Sequence, residues 1–243
     1  LDPVVVTATR TAQPISEVLS DLSLIDAQRF SNQALTSPGE WLQSLSGVEG
    51  QLTSDKVFIR GAEARMTAVY VDGIRIDQQD GYTTGGGAPW SLIPLQSATH
   101  IEVLRGPASG LYGSDAMGGV IQAFTRDGRD GEHRSVSIGA GNLGSTSLGA
   151  SIAGQANAFD YALTVGADAS DGYNSQPQTA HTPETEAWDQ THSNVKLGYT
   201  LDDAHHLGFS HLQRQRSWQY VNWGGGANAQ ADSTLNAGAL TWD

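Results

Sequence analysis

The sequence predicts an α+β domain over residues 11–130, preceded by an extended segment (1–10) and followed by antiparallel transmembrane β-barrel strands over 131–243. Three observations lead there. Up to Thr125 the chain mixes short strand patterns with helix caps and tight turns, whereas beyond it no helical period is found. Arg126-Asp127-Gly128-Arg129-Asp130-Gly131 separates the two regimes as a linker. Past the linker, apolar residues take every second position in runs of about ten, with Ser, Thr, Gly and Asn between them, which fits a barrel wall better than a water-exposed sandwich.

Composition narrows the function classes. A formal charge of −13 with no basic cluster, and with Lys56 and Lys196 the only lysines, excludes nucleic acid as a partner. The absence of cysteine removes disulfides, thiolate nucleophiles and thiolate-ligated zinc. No apolar run approaches the roughly 20 residues of a membrane helix, a statement that does not touch barrels, whose apolar face occupies alternate residues. If the protein is exported, Leu1 is expected to follow a cleaved signal.

In chain order, Leu1–Arg10 is β-branched and extended behind Pro3, an unpaired strand able to join a partner's sheet or an ordinary first strand. Ser23-Leu24-Ile25 reads as a strand, and Asp26 caps a helix to about Gln33, with Ile25 and Phe30 as a hydrophobic staple. Ser37-Pro38-Gly39-Glu40 has capping-box spacing for a second helix that carries Trp41, Leu42 and Leu45 on one face and ends at Gly47. Val57–Ile59 is a strand, and Ala68–Ile76 a hairpin around Asp72-Gly73, a pair suited to a type I′ turn. Residues 78–90, QQDGYTTGGGAPW, form a polar Gly-rich loop whose Tyr82 and Trp90 could grip a flat ligand.

The stretch His100–Thr125 organises this half. Ile101 and Val103 belong to one strand, the chain turns at Arg105-Gly106-Pro107, and Val120–Thr125 is a second strand. Between them Leu111–Gly119 is expected to form one helical turn and a bend packed by Leu111, Tyr112 and Met117. Beyond the linker come about six strands, carrying Val136 and Ile138; Leu148 and Ile152; Phe159, Tyr161, Leu163 and Val165; Val195, Leu197, Tyr199 and Leu201; Leu207 and Phe209. Gly141-Asn142 and Asp202-Asp203 are turns, and Ser170–Thr191 is the longest connection, expected on the extracellular side. His205 and His206 begin a strand, so their rings take opposite faces.

The residues IEVLRGPASGLYGSDAMGGVIQAFT (Ile101–Thr125) resemble the second half of the plug domain of TonB-dependent outer-membrane receptors. VFIRG (Val57–Gly61), AVYVDGIRI (Ala68–Ile76) and an opening DPVVVTATR (Asp2–Arg10) that resembles a TonB box agree in order, and the likeness is closest to the vitamin B12 receptor branch. Gln122 stands where the family usually carries Asn. The resemblance implies a plug domain and the start of a barrel, an incomplete part of the 22-stranded wall. It implies that Asp2, Pro3, Val4, Val5, Val6, Thr7 and Ala8 add a strand to the TonB C-terminal domain, driven by ExbB and ExbD. It further implies that Arg60 and Arg105 pair with barrel-wall glutamates outside this chain, and that Gln51, Gln78, Tyr82 and Trp90 touch substrate at an outward-facing apex. In the B12 branch the long loop holds calcium, which suggests Asp171, Glu186 and Asp189 as ligands, set against ordinary solvated carboxylates. No other cofactor is required.

The expected function is therefore energy-coupled uptake across the outer membrane of a Gram-negative bacterium, in contact with its lipid, of a cobalamin-type corrinoid, or alternatively of a ferric siderophore or haem. A different class, a non-transporting surface binding protein or adhesin, fits a soluble β-rich half. An enzyme is disfavoured: the chain has no G-x-S-x-G, H-E-x-x-H or P-loop.

Overall fold

Alternation of apolar and small residues builds most of what is seen in the computed structural model, which describes residues 3–26, 42, 45–51, 56–76, 93, 97–174, 185–202, 204–220 and 228–242. These fall into two compact units, 1–125 and 126–243. The strands of the first unit are β1 (Val4–Val5), β2 (Gln13–Pro14), β3 (Asp21–Asp26), β4 (Val48–Gln51), β5 (Lys56–Ile59), β6 (Thr67–Val71), β7 (Ile74–Arg75), β8 (Ala98–Arg105) and β9 (Gly119–Thr125). The helices expected over 26–33 and 37–47 lie largely outside the described residues; Leu42 is described, and it is buried.

A five-stranded sheet ordered β3-β8-β9-β6-β7 is the core of this unit. Only β6 and β9 pair in parallel; the other neighbours are antiparallel. Because β6, β8 and β9 are covered on both faces, their sequences read as continuous apolar runs rather than alternating ones. Ile59, Val69, Ile101, Val103, Val120 and Ile121 are essentially without exposed surface. Each such side chain stabilises the fold by roughly 1.5–3 kcal/mol relative to remaining in water.

The Asp72-Gly73 turn has the expected geometry, with φ of 49° and 78°. Asp72 also accepts from the Thr125 backbone N–H at 2.8 Å and from the Thr125 hydroxyl at 2.5 Å, which fastens the hairpin to the end of β9. One short helix, α1 (Ser109–Tyr112), provides the expected single turn between β8 and β9. Its packing differs from expectation. Leu111 and Met117 are exposed, while Tyr112 of the helix, its N-cap Ala108 and Ala116 of the following bend pack into the core. A four-residue helix turns only one side inward, and the alanines flanking it let the connection lie close. Gly118 is required by the same closeness, since a Cβ there would sit 2.7 Å from that of Ala62.

The second unit is a six-stranded antiparallel meander: β10 (His133–Ala140), β11 (Thr146–Ala156), β12 (Phe159–Ser170), β13 (Trp188–Asp202), β14 (His205–Tyr220) and β15 (Ala229–Trp242). The linker forms a 3-10 turn at Gly128–Asp130, with a capping box from Asp127. β13 begins at Trp188, so the long connection is shorter than the sequence suggested. Its end of the sheet carries the longer connections, whereas β11–β12 and β13–β14 are each joined through two residues at the other.

Registers place the alternation on two distinct faces. Val136, Ile138, Leu148, Ile152, Phe159, Leu163, Val165, Leu197, Tyr199, Leu201, Leu207, Phe209, Leu240 and Trp242 share one face, all of them exposed. Asp160, Thr164, Gln190, His192, Asn194 and Arg214 share the other, all of them buried. The apolar residues form a belt that does not run perpendicular to the strands. Ile138 on β10 is level with Leu148 on β11, whereas Leu240 on β15 is level with Phe209, Leu197 and Tyr161. Crossing the sheet, the belt slides by about six residues toward the short-turn end; at ~3.4 Å per residue and ~4.8 Å per strand spacing this is a strand tilt of roughly 40°. Transmembrane barrels tilt their strands by about 35–45° to keep such a belt level with a bilayer.

Candidate functional site

A buried carboxylate in the middle of an apolar strand needs partners, and in this chain they come from the amino-terminal segment. Glu102 lies on β8 between Ile101 and Val103 with 0% exposure. Its carboxylate accepts the Val6 backbone N–H at 3.1 and 3.0 Å and the Thr7 backbone N–H at 2.7 Å. The segment is held at further points: the Tyr112 hydroxyl donates to the Thr7 carbonyl at 2.9 Å, and the Thr7 hydroxyl donates to Gln122 Oε1 at 3.4 Å. The Arg10 guanidinium lies over the Tyr112 ring at 4.6 Å. Gln122, the departure from the family's usual Asn, thus has a definite role here.

The segment is therefore not a loose tail. β1 pairs with β2, the Ile15 N–H donates to the Pro3 carbonyl at 2.8 Å, and the chain turns back through Arg10, whose φ is 62°. Val5 and Thr7 are wholly buried, while Val4 is exposed. The physical reason is donor satisfaction: two successive backbone N–H groups meet an ionised acceptor, and charge-assisted bonds of this kind contribute about 1.5–3 kcal/mol each.

Burial alone would push the Glu102 carboxyl up, yet hydrogen bonding from His100, Thr7 and Val6 outweighs it and holds the group below the ordinary glutamate value. The sign follows: docking is fully present above the ordinary glutamate range and is lost as the pH falls through the depressed value. The titratable and charged neighbours are His100, with Nε2 at 3.5 Å, Asp26 opposite His100 on β3, Tyr112 and Arg10. A nitroxide on a cysteine introduced at Val4 is expected to be immobilised at neutral pH and to become mobile in acid.

Arg60 and Arg105 stand at strand ends before Gly, as expected, but their partner in this chain is Asp21. Arg105 Nη2 lies 2.6 Å from Asp21 Oδ1 and Arg105 Nε 3.1 Å from Oδ2; Arg60 Nη2 also bonds to Oδ2. Asp21 and Arg105 are direct cross-strand partners of β3 and β8. Hydrogen bonding from Arg105, with the charges of both arginines, outweighs desolvation and holds the Asp21 carboxyl below its ordinary value. Within this chain the two arginines thus share one carboxylate as an internal clamp, while the glutamates expected to meet them belong to wall outside it.

Of the expected substrate contacts, Gln78, Tyr82 and Trp90 lie outside the described residues, and Gln51 is placed only by its backbone at the end of β4. The calcium expectation falls on a loop of which residues 175–184 lie outside the described ones. Among the described residues no group of three acidic or histidine side chains is placed to hold a metal. Asp189 belongs to the same face of β13 as the belt residues, opposite to Gln190, because a strand alternates its side chains. His205 and His206 diverge as expected, His205 to Asp202 and His206 to Asp160, each at 2.8 Å.

Two features escape sequence reasoning. One is Glu102, whose signal is an acidic residue flanked by β-branched apolar ones. The other lies at the long-loop end of the sheet, where the Arg216 guanidinium sits 5.7 Å from the Trp188 ring and 5.5 Å from that of Trp218. All three are on the face opposite to the belt, where a membrane gives no reason for aromatic residues.

A mixed-sheet domain that holds its own amino-terminal strand, followed in the chain by tilted antiparallel strands with an apolar belt on one face, is the architecture of a plug domain followed by barrel-wall strands. The TonB-dependent Receptor Plug Domain family matches residues 14–120. The vitamin B12 transporter BtuB of Vibrio vulnificus strain YJ016 is 32% identical over 99% of this chain and 40% of its own length. BtuB of Vibrio cholerae is 34% identical over 95% of this chain and 35% of its own length. In fold, the ferripyoverdine receptor of Pseudomonas aeruginosa matches with a TM-score of 0.75 at 15% identity over 89% of this chain and 28% of its own. The siderophore receptor PirA of Acinetobacter baumannii matches with a TM-score of 0.69 at 20% identity over 83% and 32%.

Residues 14–120 thus carry a TonB-dependent receptor plug domain, and the chain is similar along almost its whole length to vitamin B12 transporters. It spans about 40% of the length of the curated relatives it matches.

Proposed function

We propose that this chain is the plug and first wall strands of an outer-membrane receptor for TonB-energised uptake of a cobalamin-type corrinoid. The observation that carries the reading is the likeness to vitamin B12 transporters along 99% of the chain. Residues 1–10 serve as the TonB box, 11–130 as the plug and 131–243 as the start of the wall. The belt meets outer-membrane lipid and the polar face lines the lumen. Asp2–Ala8 pairs with the TonB C-terminal domain, which ExbB and ExbD energise. Arg60 and Arg105 fix the plug, and Gln51, Gln78, Tyr82 and Trp90 contact cargo. Calcium held by Asp171, Glu186 and Asp189 would need further ligands from outside the described residues.

Trp188, Arg216 and Trp218 would meet cargo entering from the long-loop side, offering ring faces for stacking and guanidinium N–H groups for acceptors. Arg216→Ala is expected to weaken cargo binding by about tenfold, the loss of one charged hydrogen bond, with assembly unchanged.

Binding of radiolabelled cyanocobalamin to membranes bearing the receptor, with ferric enterobactin, ferripyoverdine and haemin as competitors, tests the cargo. Displacement by unlabelled cobalamin alone is expected. Specific binding of a ferric siderophore or haem instead would keep the transporter class and overturn the corrinoid. Surface binding without accumulation in energised cells would favour the adhesin class.

A further inference from the structure

Successive backbone N–H groups of an extended strand point to opposite edges. A strand added to either edge of the segment 4–7 therefore requires the N–H of Val6 or that of Thr7 as a donor. Both donors are committed to Glu102, at distances of 2.7 to 3.1 Å. We propose that Glu102 is the positioning residue that withholds the amino-terminal strand: its carboxylate competes with the partner strand for the same two donors. The docked and partner-paired states thus exclude each other at the level of single hydrogen bonds.

This rests on the reading of residues 2–8 as the strand given to TonB. It adds a specific competitor, in a residue 95 and 96 positions away in sequence. The surroundings suit that task. Glu102 is fully buried, so no water replaces the segment's donors while it is docked. Tyr112 and Gln122 hold Thr7 through its carbonyl and hydroxyl, which leaves the Val6 and Thr7 N–H groups to Glu102 among the described contacts. Release of the segment takes the backbone donors away from a buried carboxylate and leaves it beside His100 at 3.5 Å and opposite Gln122 on β9, so an undocked state is reached only when something else stabilises it.

The test uses the receptor that carries this chain, in detergent, without cargo. Glu102→Gln keeps the shape of the side chain and removes its charge; Glu102→Ala removes the acceptor. Two readouts are taken: the mobility of a nitroxide at Val4→Cys, and the affinity of the unlabelled receptor for purified TonB C-terminal domain. The mobile fraction is expected to pass from minor to dominant. Affinity for TonB is expected to rise at least tenfold, while cyanocobalamin affinity, which a general loosening of the plug would lower, stays within about twofold of the parent. Thr7→Pro, which deletes one donor from the other side, should mobilise the label with Glu102 intact. A label that remains immobilised in these variants overturns the proposal. Mobilisation with no gain in TonB binding leaves Glu102 as the catch and overturns the TonB reading of the segment instead.

Discussion

Val6→Pro is expected to abolish energy-coupled accumulation of cobalamin while leaving cobalamin binding at the cell surface unchanged. Proline removes the Val6 N–H, which donates to Glu102 in the docked state and would donate to the partner strand in the paired state. A strand of about six residues held by ladder bonds worth roughly 0.5–1.5 kcal/mol each has little to spare, and proline in its middle also clashes with the neighbouring strand. The segment therefore undocks but cannot be grasped. Glu102→Gln provides the contrast, because it undocks the same segment and keeps every donor. Uptake assays with radiolabelled cyanocobalamin should separate the two variants, with accumulation near background for Val6→Pro and retained for Glu102→Gln. Retained uptake by Val6→Pro would remove this segment from the coupling step.

Leu197→Arg is expected to block stable insertion of the barrel, whereas Thr191→Arg on the same strand and the same face is tolerated. Both side chains point away from the polar face, but Leu197 lies in the middle of the belt, level with Tyr161 and Phe209. Thr191 lies six residues toward the long loops, level with Gln215. A charge facing lipid at the bilayer midplane costs about 2–4 kcal/mol, falling to about 0–1 near the interface. Heat-modifiable mobility of outer-membrane fractions checks this, with the folded band reduced several-fold for Leu197→Arg alone. Equal behaviour of the two variants would mean that the belt does not face lipid.

Much of this architecture is local, and local features are legible in a sequence. The Asp72-Gly73 turn follows from which residues accept positive φ, and the two faces of the wall follow from a period of two. The slant of the belt was not legible, because it depends on which residues are level across strands, and register is a property of pairs. The central contacts of the first unit escaped for the same reason. Asp21 meets Arg105 from 84 positions away, and Glu102 meets Thr7 from 95. Alternation alone would have left the amino-terminal segment free, since nothing in its own residues names the carboxylate that holds it. Leu111 and Met117 misled in the opposite way: their hydrophobicity suggested burial, but in so short a connection the inward positions are taken by Tyr112 and by Ala108 and Ala116 on either side of the helix.

The most direct test of the account is accumulation of radiolabelled cyanocobalamin by Gram-negative cells that lack their own cobalamin receptor and express the receptor carrying this chain, compared between strains with and without TonB. Accumulation above the surface-bound level only where TonB is present is the expected result. Accumulation of equal size in both strains, or none in either despite surface binding, would contradict an energised plug-and-barrel transporter.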